Sequence, residues 1–575
     1  MSPTQTATPS KTLGFVTLFL IEMWERFGYY GMTAVVVLYM IQRLGYGDRN
    51  ANLTFGAFTA LAYAVPAVGG WIGDRVLGSK RTAIMGALIL AVGYTMMSLP
   101  LPVLLFPALA VVAVGGGIFK SNPANVISKL YQGEPAKLDS AFTMYYMAVN
   151  LGATISQILT PLIGQYGRDW VPWVAKNVFS SSVTPEQAVD IGWHAAFGLC
   201  AFGLVLGLIS YFFMRKHLSH VGSEPDAQPL NRRKFYLVLL SVAMSIVLVC
   251  FILQNKLIAL GLVVAAALAM LGIFYVMIDK GTPRERKGLI AVLVLTLQTI
   301  LFFIFYQQMS TSLTLFAARN VDLNFYGYLV PAGQVQALNP IWIFLLSPPL
   351  AWLYNHWSKG KGDFHISTKF AAGFAILSLG FFIYGASGMF AVDGKVSMWW
   401  MVWGYCLQSL GELLISGLGL AMVSRYVGPK LRGFIMGTWF LATGISQYLG
   451  GFVANYASVP DKLADLVKKF PAQVQDQFKS VPAGLLNSIQ NLTLEDFRSW
   501  LDGEKVQGMQ PLAATSADTQ KLLHQLDTQF YVQTLPLYTN LFIWLGVVAL
   551  IGTIIAIAIV PSMRRLSAGG EATEH

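Results

Sequence analysis

Long apolar blocks separated by short polar connections set the pattern of the chain. They recur near 13–41, 52–73, 82–99, 104–128, 140–164, 195–214, 235–253, 257–278, 288–318, 337–355, 369–391, 397–424, 433–456 and 537–563. A run of ~20 apolar residues rising 1.5 Å each crosses a hydrocarbon core, so the pattern predicts about fourteen transmembrane helices. The blocks are continuously apolar and much longer than a barrel strand, which favours helices over a closed sheet. The first block is too long, and too acidic at its centre, to be a cleavable signal peptide, and is expected to stay in the mature protein.

The connections group the blocks as six, two and six. A basic linker, Met214 to Lys234, follows the sixth block, and a second, Asp279 to Lys287, follows the eighth. The two blocks between them contain no acidic or basic residue and read as a lipid-facing hairpin. The expected organisation is a first six-helix bundle over 1–214, linkers and an inserted helix pair over 215–287, and a second six-helix bundle over 288–575. A large outside loop is expected at about 457–536, whose DKLADLVKKF and LEDFRSWLDGEK stretches have amphipathic helical spacing. The fold class is therefore all-α and polytopic, and two six-helix bundles resemble the major facilitator superfamily, which places its substrate site between the halves near mid-membrane. GGWIGDRVLGSKRT, Gly69 to Thr82, also resembles that superfamily's cytoplasmic loop signature. Its glycines would allow close helix contact, and Asp74, Arg75, Lys80 and Arg81 could form a gate.

Composition agrees: 55% of residues are hydrophobic and 12% charged, which excludes ordinary soluble and disordered classes. Lys and Arg concentrate in the connections that lie inside if the amino terminus is cytoplasmic, so both termini are expected there. That bias accounts for much of the net charge of +11, which is therefore not read as a nucleic-acid footprint. Cys200, Cys250 and Cys406 all lie in apolar blocks without a CxxC or His/Cys cluster, so neither disulfides nor a metal site is expected. Phe119 stands where a phosphate loop needs glycine before its lysine, and no nucleotide motif occurs elsewhere. An ATP-driven pump is disfavoured; a non-enzymatic carrier without cofactor fits.

Within the blocks and away from their ends, the ionisable residues reduce to Glu22, Glu25, Arg26, Lys120 and Glu412. Each costs ~2.5 to 3.5 kcal/mol at a helix centre, so they should face the protein interior or a watered cavity. Positions 22, 25, 26, 29, 30 and 33 advance by three and four, stacking Glu22, Glu25, Arg26, Tyr29, Tyr30 and Thr33 on one stripe. A structural Glu22–Arg26 pair would explain one acid but neither Glu25 nor the tyrosines. Lys120 and Glu412, from opposite halves, could hold a gate closed until a ligand or proton separates them. Arg26 and Lys120 suit a carboxylate and Glu412 an ammonium, so a solute carrying both fits well. Three acids against two bases leave −1 when all are ionised, a state one bound proton would neutralise. No histidine lies deep in a block, so a coupling proton should ride on carboxylates.

EMWERFGYYG, Glu22 to Gly31, resembles the ExxERFxYYG signature of the proton-coupled oligopeptide transporter family, the POT/PTR peptide symporters. FTMYYMAVNLGA from Phe142, ALNP from Ala337, WFL from Trp439, Tyr63, Lys120 and Glu412 extend the resemblance over the chain outside the 457–536 loop. Bacterial members carry the inserted helix pair, and the family's fold is the major facilitator fold. The resemblance implies import of di- and tripeptides with protons by alternating access across the bacterial cytoplasmic membrane; relatives of this fold also carry nitrate, amino acids and other small solutes. It implies that Arg26, Lys120 and Asn150 hold the peptide carboxylate, and that Asn339 and Glu412 hold its amino terminus. Tyr29, Tyr30, Tyr63 and Trp439 would line side-chain pockets, with Gln308 a further contact. Glu22, Glu25, Arg26 and Glu412 would couple the proton, Lys120 and Glu412 would gate, and the working unit would be a monomer in lipid. Many relatives carry Arg at the position of Thr33 and acids at those of Gln307 and Ala318, so the outer-gate salt bridge is expected to be replaced here by neutral contacts.

Overall fold

The computed structural model describes residues 10–358, 365–415, 429–504, 506 and 508–568. The last residues of the expected 397–424 span therefore lie outside the described residues. Among the described residues the chain is almost wholly helical, and ten helical segments are long and apolar enough to cross a membrane. The long first helix, α1 (Lys11–Gln42), is not one of the ten, because its charged, tyrosine-rich middle lowers its hydropathy. The predicted spans otherwise recur as helices with informative interruptions.

The second and fourth spans are each broken. The second consists of α2 (Asp48–Ala64) and α3 (Pro66–Arg75), and α4 (Ser79–Met97) follows. The fourth consists of α5 (Leu105–Lys120) and α6 (Asn122–Leu130). Pro66 and Pro123 open the second half of each span, where a missing N–H costs nothing. The breaks are cross-tied: Ser121 Oγ donates to the Pro66 carbonyl at 3.0 Å, and Asn122 Nδ2 donates to the Gly69 carbonyl at 3.2 Å. A Cβ on Gly69 would overlap the Gly117 carbonyl and one on Gly117 would overlap Val65, so these two glycines set how closely the broken helices approach.

The remaining helices before the inserted pair are α7 (Pro135–Gln165), α8 (Gly167–Phe179) and α9 (Pro185–Met214). The inserted pair is α10 (Arg232–Gln254) and α11 (Lys256–Lys280). The hairpin is less uniform than its sequence: Val238, Val242, Val249 and Leu253 form a buried stripe on α10, which packs on α5, whereas α11 is mostly exposed. After it come α12 (Pro283–Gln307), α13 (Ser312–Asn320), α14 (Leu338–Ser358), α15 (Ile366–Ala386), α16 (Trp399–Ile415) and α17 (Pro429–Ala454).

The segment between α17 and the final helix contains four short helices, α18 (Leu463–Val467), α19 (Ala472–Lys479), α20 (Ala483–Ile489) and α21 (Leu494–Leu501). The final helix, α22 (Ala517–Ala568), begins well before the apolar block at 537. The early start has a physical cause: Leu523, Leu526 and Phe530 bury one face of its polar first turns against Leu463, Phe470, Phe497 and Trp500. The loop is thus a small lobe with its own apolar core. Contacts divide the chain into two compact units. The first comprises 1–33, 57–164 and 193–262, and the second 34–56, 165–192 and 263–575.

Candidate functional site

In the first unit the polar stripe of α1 is buried. Glu22, Glu25 and Arg26 are 2%, 1% and 6% exposed, so their charges must be balanced within the protein. Arg26 Nε donates to Glu22 Oε1 at 2.8 Å, and Glu25 Oε2 lies 2.8 Å from the same Nε. The Glu25 contact is an ion pair without hydrogen-bond geometry, since Glu25 Oε2 has no hydrogen-bond partner. The second Glu22 oxygen accepts from the Tyr145 hydroxyl on α7. One turn on, Tyr29 and Tyr30 meet edge to face at 5.5 Å, and the Arg26 guanidinium sits 5.9 Å from the Tyr29 ring centre.

The helix breaks bring a second cation into the unit. Lys120 is the last residue of α5, where a helix favours positive charge, and Tyr63 stands just before the break after α2. Lys120 Nζ lies 3.7 Å above the Tyr63 ring, a cation–π contact. Asn150, on α7, is half-buried and bonds to the Tyr146 carbonyl of its own helix at 2.9 Å.

In the second unit, Asn339 Nδ2 donates to Glu412 Oε2 at 2.7 Å and to Ser409 Oγ at 3.0 Å, and both Asn339 and Glu412 are buried. Trp439 is 8% exposed. Lys120 and Glu412 fall in different units, and each has a partner within its own: the Tyr63 ring and Asn339.

Gln308, expected as a further ligand contact, makes its hydrogen bonds within the protein. It is fully buried, its Nε2 donates to the Ile304 and Gly450 carbonyls at 3.0 Å each, and its Oε1 accepts from Ser312 at 2.7 Å. With donor and acceptor both committed, the side chain splices the break between α12 and α13 to α17.

At the position where many relatives carry Arg, the contact is neutral. Thr33 is neutral and bonds to the Tyr30 carbonyl at 3.1 Å, yet an ion cluster exists one residue beyond Ala318. Arg319 binds Asp48 through both terminal nitrogens, at 2.6 and 2.8 Å, and its Nε donates to Glu495 at 2.8 Å. Arg319 also donates to the Tyr538 hydroxyl at 2.7 Å, and the Val459 N–H donates to Asp48 at 2.8 Å. A second, more exposed cluster joins Glu504 of the lobe to Arg43 and Arg168, with Asp190 on Arg43. Charge pairs thus attach the lobe to α2, α8, α13 and Arg43, the residue after α1. For Glu495, burial pushes the carboxyl up, but the Arg319 and Arg498 guanidiniums outweigh it and hold the group below its ordinary value.

Sequence reasoning missed Tyr145, Ser409, Asp48 and Arg319. Ser409 stands three residues before Glu412 on one helix face, a spacing that could have revealed it. Arg319 and Asp48 lie at the ends of apolar blocks, where a charge ordinarily meets water. Among the described residues no cluster of His, Cys, Asp or Glu could hold a metal.

The chain matches the model of the POT family over residues 80–471. The dipeptide and tripeptide permease B of Aliivibrio fischeri (strain MJ11) is 39% identical over 80% of this chain and 89% of that protein. The permease B of Salmonella typhimurium (strain LT2) is likewise 39% identical over 80% of this chain and 89% of its own length. A crystal structure of tetrameric PepTSo2 is 45% identical with a TM-score of 0.74, covering 97% of this chain and 99% of that one. A crystal structure of the peptide transporter POT in complex with sulfate is 25% identical with a TM-score of 0.70, covering 96% and 95%. The major facilitator fold follows from these neighbours, and a chain matched by the family model over most of its length, with such relatives across four-fifths of it, belongs to the POT family.

Proposed function

We propose that this protein is a proton-coupled symporter that imports di- and tripeptides across the bacterial cytoplasmic membrane, with six-helix bundles over 1–214 and 288–575 alternating access around a central site. The observation that carries this reading is the buried Arg26 set between two carboxylates of its own helix, in a unit that also holds Lys120. The names of the permease relatives support the substrate class. Arg26 and Lys120, with Asn150, would take the peptide carboxylate through charge-assisted hydrogen bonds, the stronger kind. Glu412, oriented by Asn339, would take the ammonium end. Tyr29, Tyr30, Tyr63 and Trp439 would offer amphipathic walls that accept many side chains. Binding a zwitterion in this way would compete with the internal ion pairs, so peptide and proton occupancy would shift the same equilibrium between conformations. Lys120 and Glu412 would alternate between the ligand and each other as the gate moves, and both termini would lie in the cytoplasm. Each chain would carry a complete site, whether or not chains associate.

The test is reconstitution in liposomes with an imposed gradient, offering di-, tri- and tetrapeptides, free amino acids and nitrate. Accumulation of di- and tripeptides when the outside is acidic, abolished by collapsing the gradient, is the expected result. Gradient-independent uptake, or preference for nitrate or single amino acids, would contradict it.

A further inference from the structure

We propose that Tyr145 is a positioning residue that makes the two carboxylates of α1 unequal: it fixes Glu22 as the standing partner of Arg26 and leaves Glu25 to take up and release the coupling proton. The inference rests on the proton-coupled reading above and deepens it.

Glu22 and Glu25 are both buried, both on α1, and both 2.8 Å from the same Arg26 Nε. Nothing on their own helix distinguishes them by distance. The difference comes from α7. Glu22 has each oxygen satisfied, Oε1 by Arg26 and Oε2 by the Tyr145 hydroxyl, whereas Glu25 Oε2 has no hydrogen bond. A hydroxyl that donates to a carboxylate stabilises its charged form, and a buried charged oxygen without a donor is costly. The proton is therefore accommodated at least cost on the Glu25 carboxylate, giving a neutral acid and leaving Arg26 paired with Glu22 alone; its release restores the shared guanidinium. The other ionisable groups within electrostatic reach of this cluster are Lys120 from α5, Tyr29 and Tyr30 from α1 itself, and Tyr94 from α4.

Tyr145→Phe removes only the hydroxyl. In proteoliposomes, counterflow exchange of a labelled dipeptide, which needs binding and the conformational cycle but no net proton movement, is expected to stay within about twofold of wild type. Gradient-driven accumulation is expected to fall about tenfold, the size expected for losing one hydrogen bond to a charged group. Tyr94→Phe is the control, because that buried hydroxyl has no hydrogen-bond partner; both activities are expected to be retained. Unchanged accumulation in Tyr145→Phe, or an equal fall in both activities, would overturn the inference, the latter result marking a packing role. If Tyr145→Phe does not fold, Glu22→Gln replaces it: both activities are expected to fall because Arg26 loses its standing partner, and a Glu22→Gln protein that still accumulates peptide would overturn the assignment. Gradient-independent accumulation by the wild type would overturn the coupling reading itself, and this inference with it, before any variant is compared.

Discussion

Arg26 and Arg319 are both buried guanidiniums set between two carboxylates and close to a tyrosine, yet they are satisfied very differently. Arg319 spends three nitrogens on Asp48, Glu495 and Tyr538, and Asp48 gains a backbone donor besides. Arg26 divides one Nε between Glu22 and Glu25 and leaves a Glu25 oxygen without a hydrogen bond. A network whose members are satisfied holds one arrangement, whereas a partly satisfied one is high in free energy and ready to exchange partners or gain a proton. The first is suited to attaching the lobe, the second to working the cycle. Residue composition alone does not separate them; the count of made hydrogen bonds does.

The largest expected effect that would break this comparison is on the Arg319 side. Asp48→Asn leaves a buried guanidinium short of its main counter-charge and should cost ~3–5 kcal/mol, read as a lowered midpoint of thermal unfolding in detergent. A loss below ~1 kcal/mol would mean the cluster is not a structural clamp. Next in size, Lys120→Ala would remove the charge-assisted contact proposed for the peptide carboxylate, worth ~1.5–3 kcal/mol, and should raise the KM for dipeptides about 10- to 100-fold. It should also reduce discrimination against the C-terminal amide; wild type that never discriminated would refute the assignment.

A smaller effect sharpens the comparison through pH. Glu495 is held below its ordinary value of 4.5, so its contribution to lobe attachment is present above that value and is lost only as pH falls further, through the depressed folded value. Hydrogen exchange of residues 463–501 should therefore be the same at pH 7 and pH 5 and rise only below 4.5, while transport responds to proton gradients above that range. Loss of protection between pH 7 and 5 would contradict the ionised Glu495. The smallest expected effect is at Gln308: Gln308→Leu should change the dipeptide KM less than about twofold, since its amide already serves the Ile304 and Gly450 carbonyls.

How much of this was legible in the sequence follows from where each signal resides. Apolar run lengths revealed the helices, and the three-and-four spacing of Glu22, Glu25, Arg26, Tyr29 and Tyr30 revealed the buried stripe, because both are local properties of a helix. The start of α22 at Ala517 was not legible, since its first turns are polar and are helical only because Leu523, Leu526 and Phe530 pack on a lobe far away in sequence. The bonding of Gln308 was not legible either, since one of its partners, Gly450, lies 142 residues later. Asp48 and Arg319 looked like ordinary span-end charges, and only their 271-residue pairing makes them a clamp. Tyr145 lay in view within FTMYYMAVNLGA, but which aromatic of that stretch reaches Glu22 is set by the packing of α7 on α1.

The central claim is that the under-satisfied carboxylate of α1 carries the coupling proton. It is tested most directly by measuring dipeptide counterflow and acid-driven accumulation side by side in liposomes containing wild type or Glu25→Gln protein. The account predicts counterflow near the wild-type rate together with loss of uphill accumulation in the variant. Intact uphill accumulation by Glu25→Gln would contradict it.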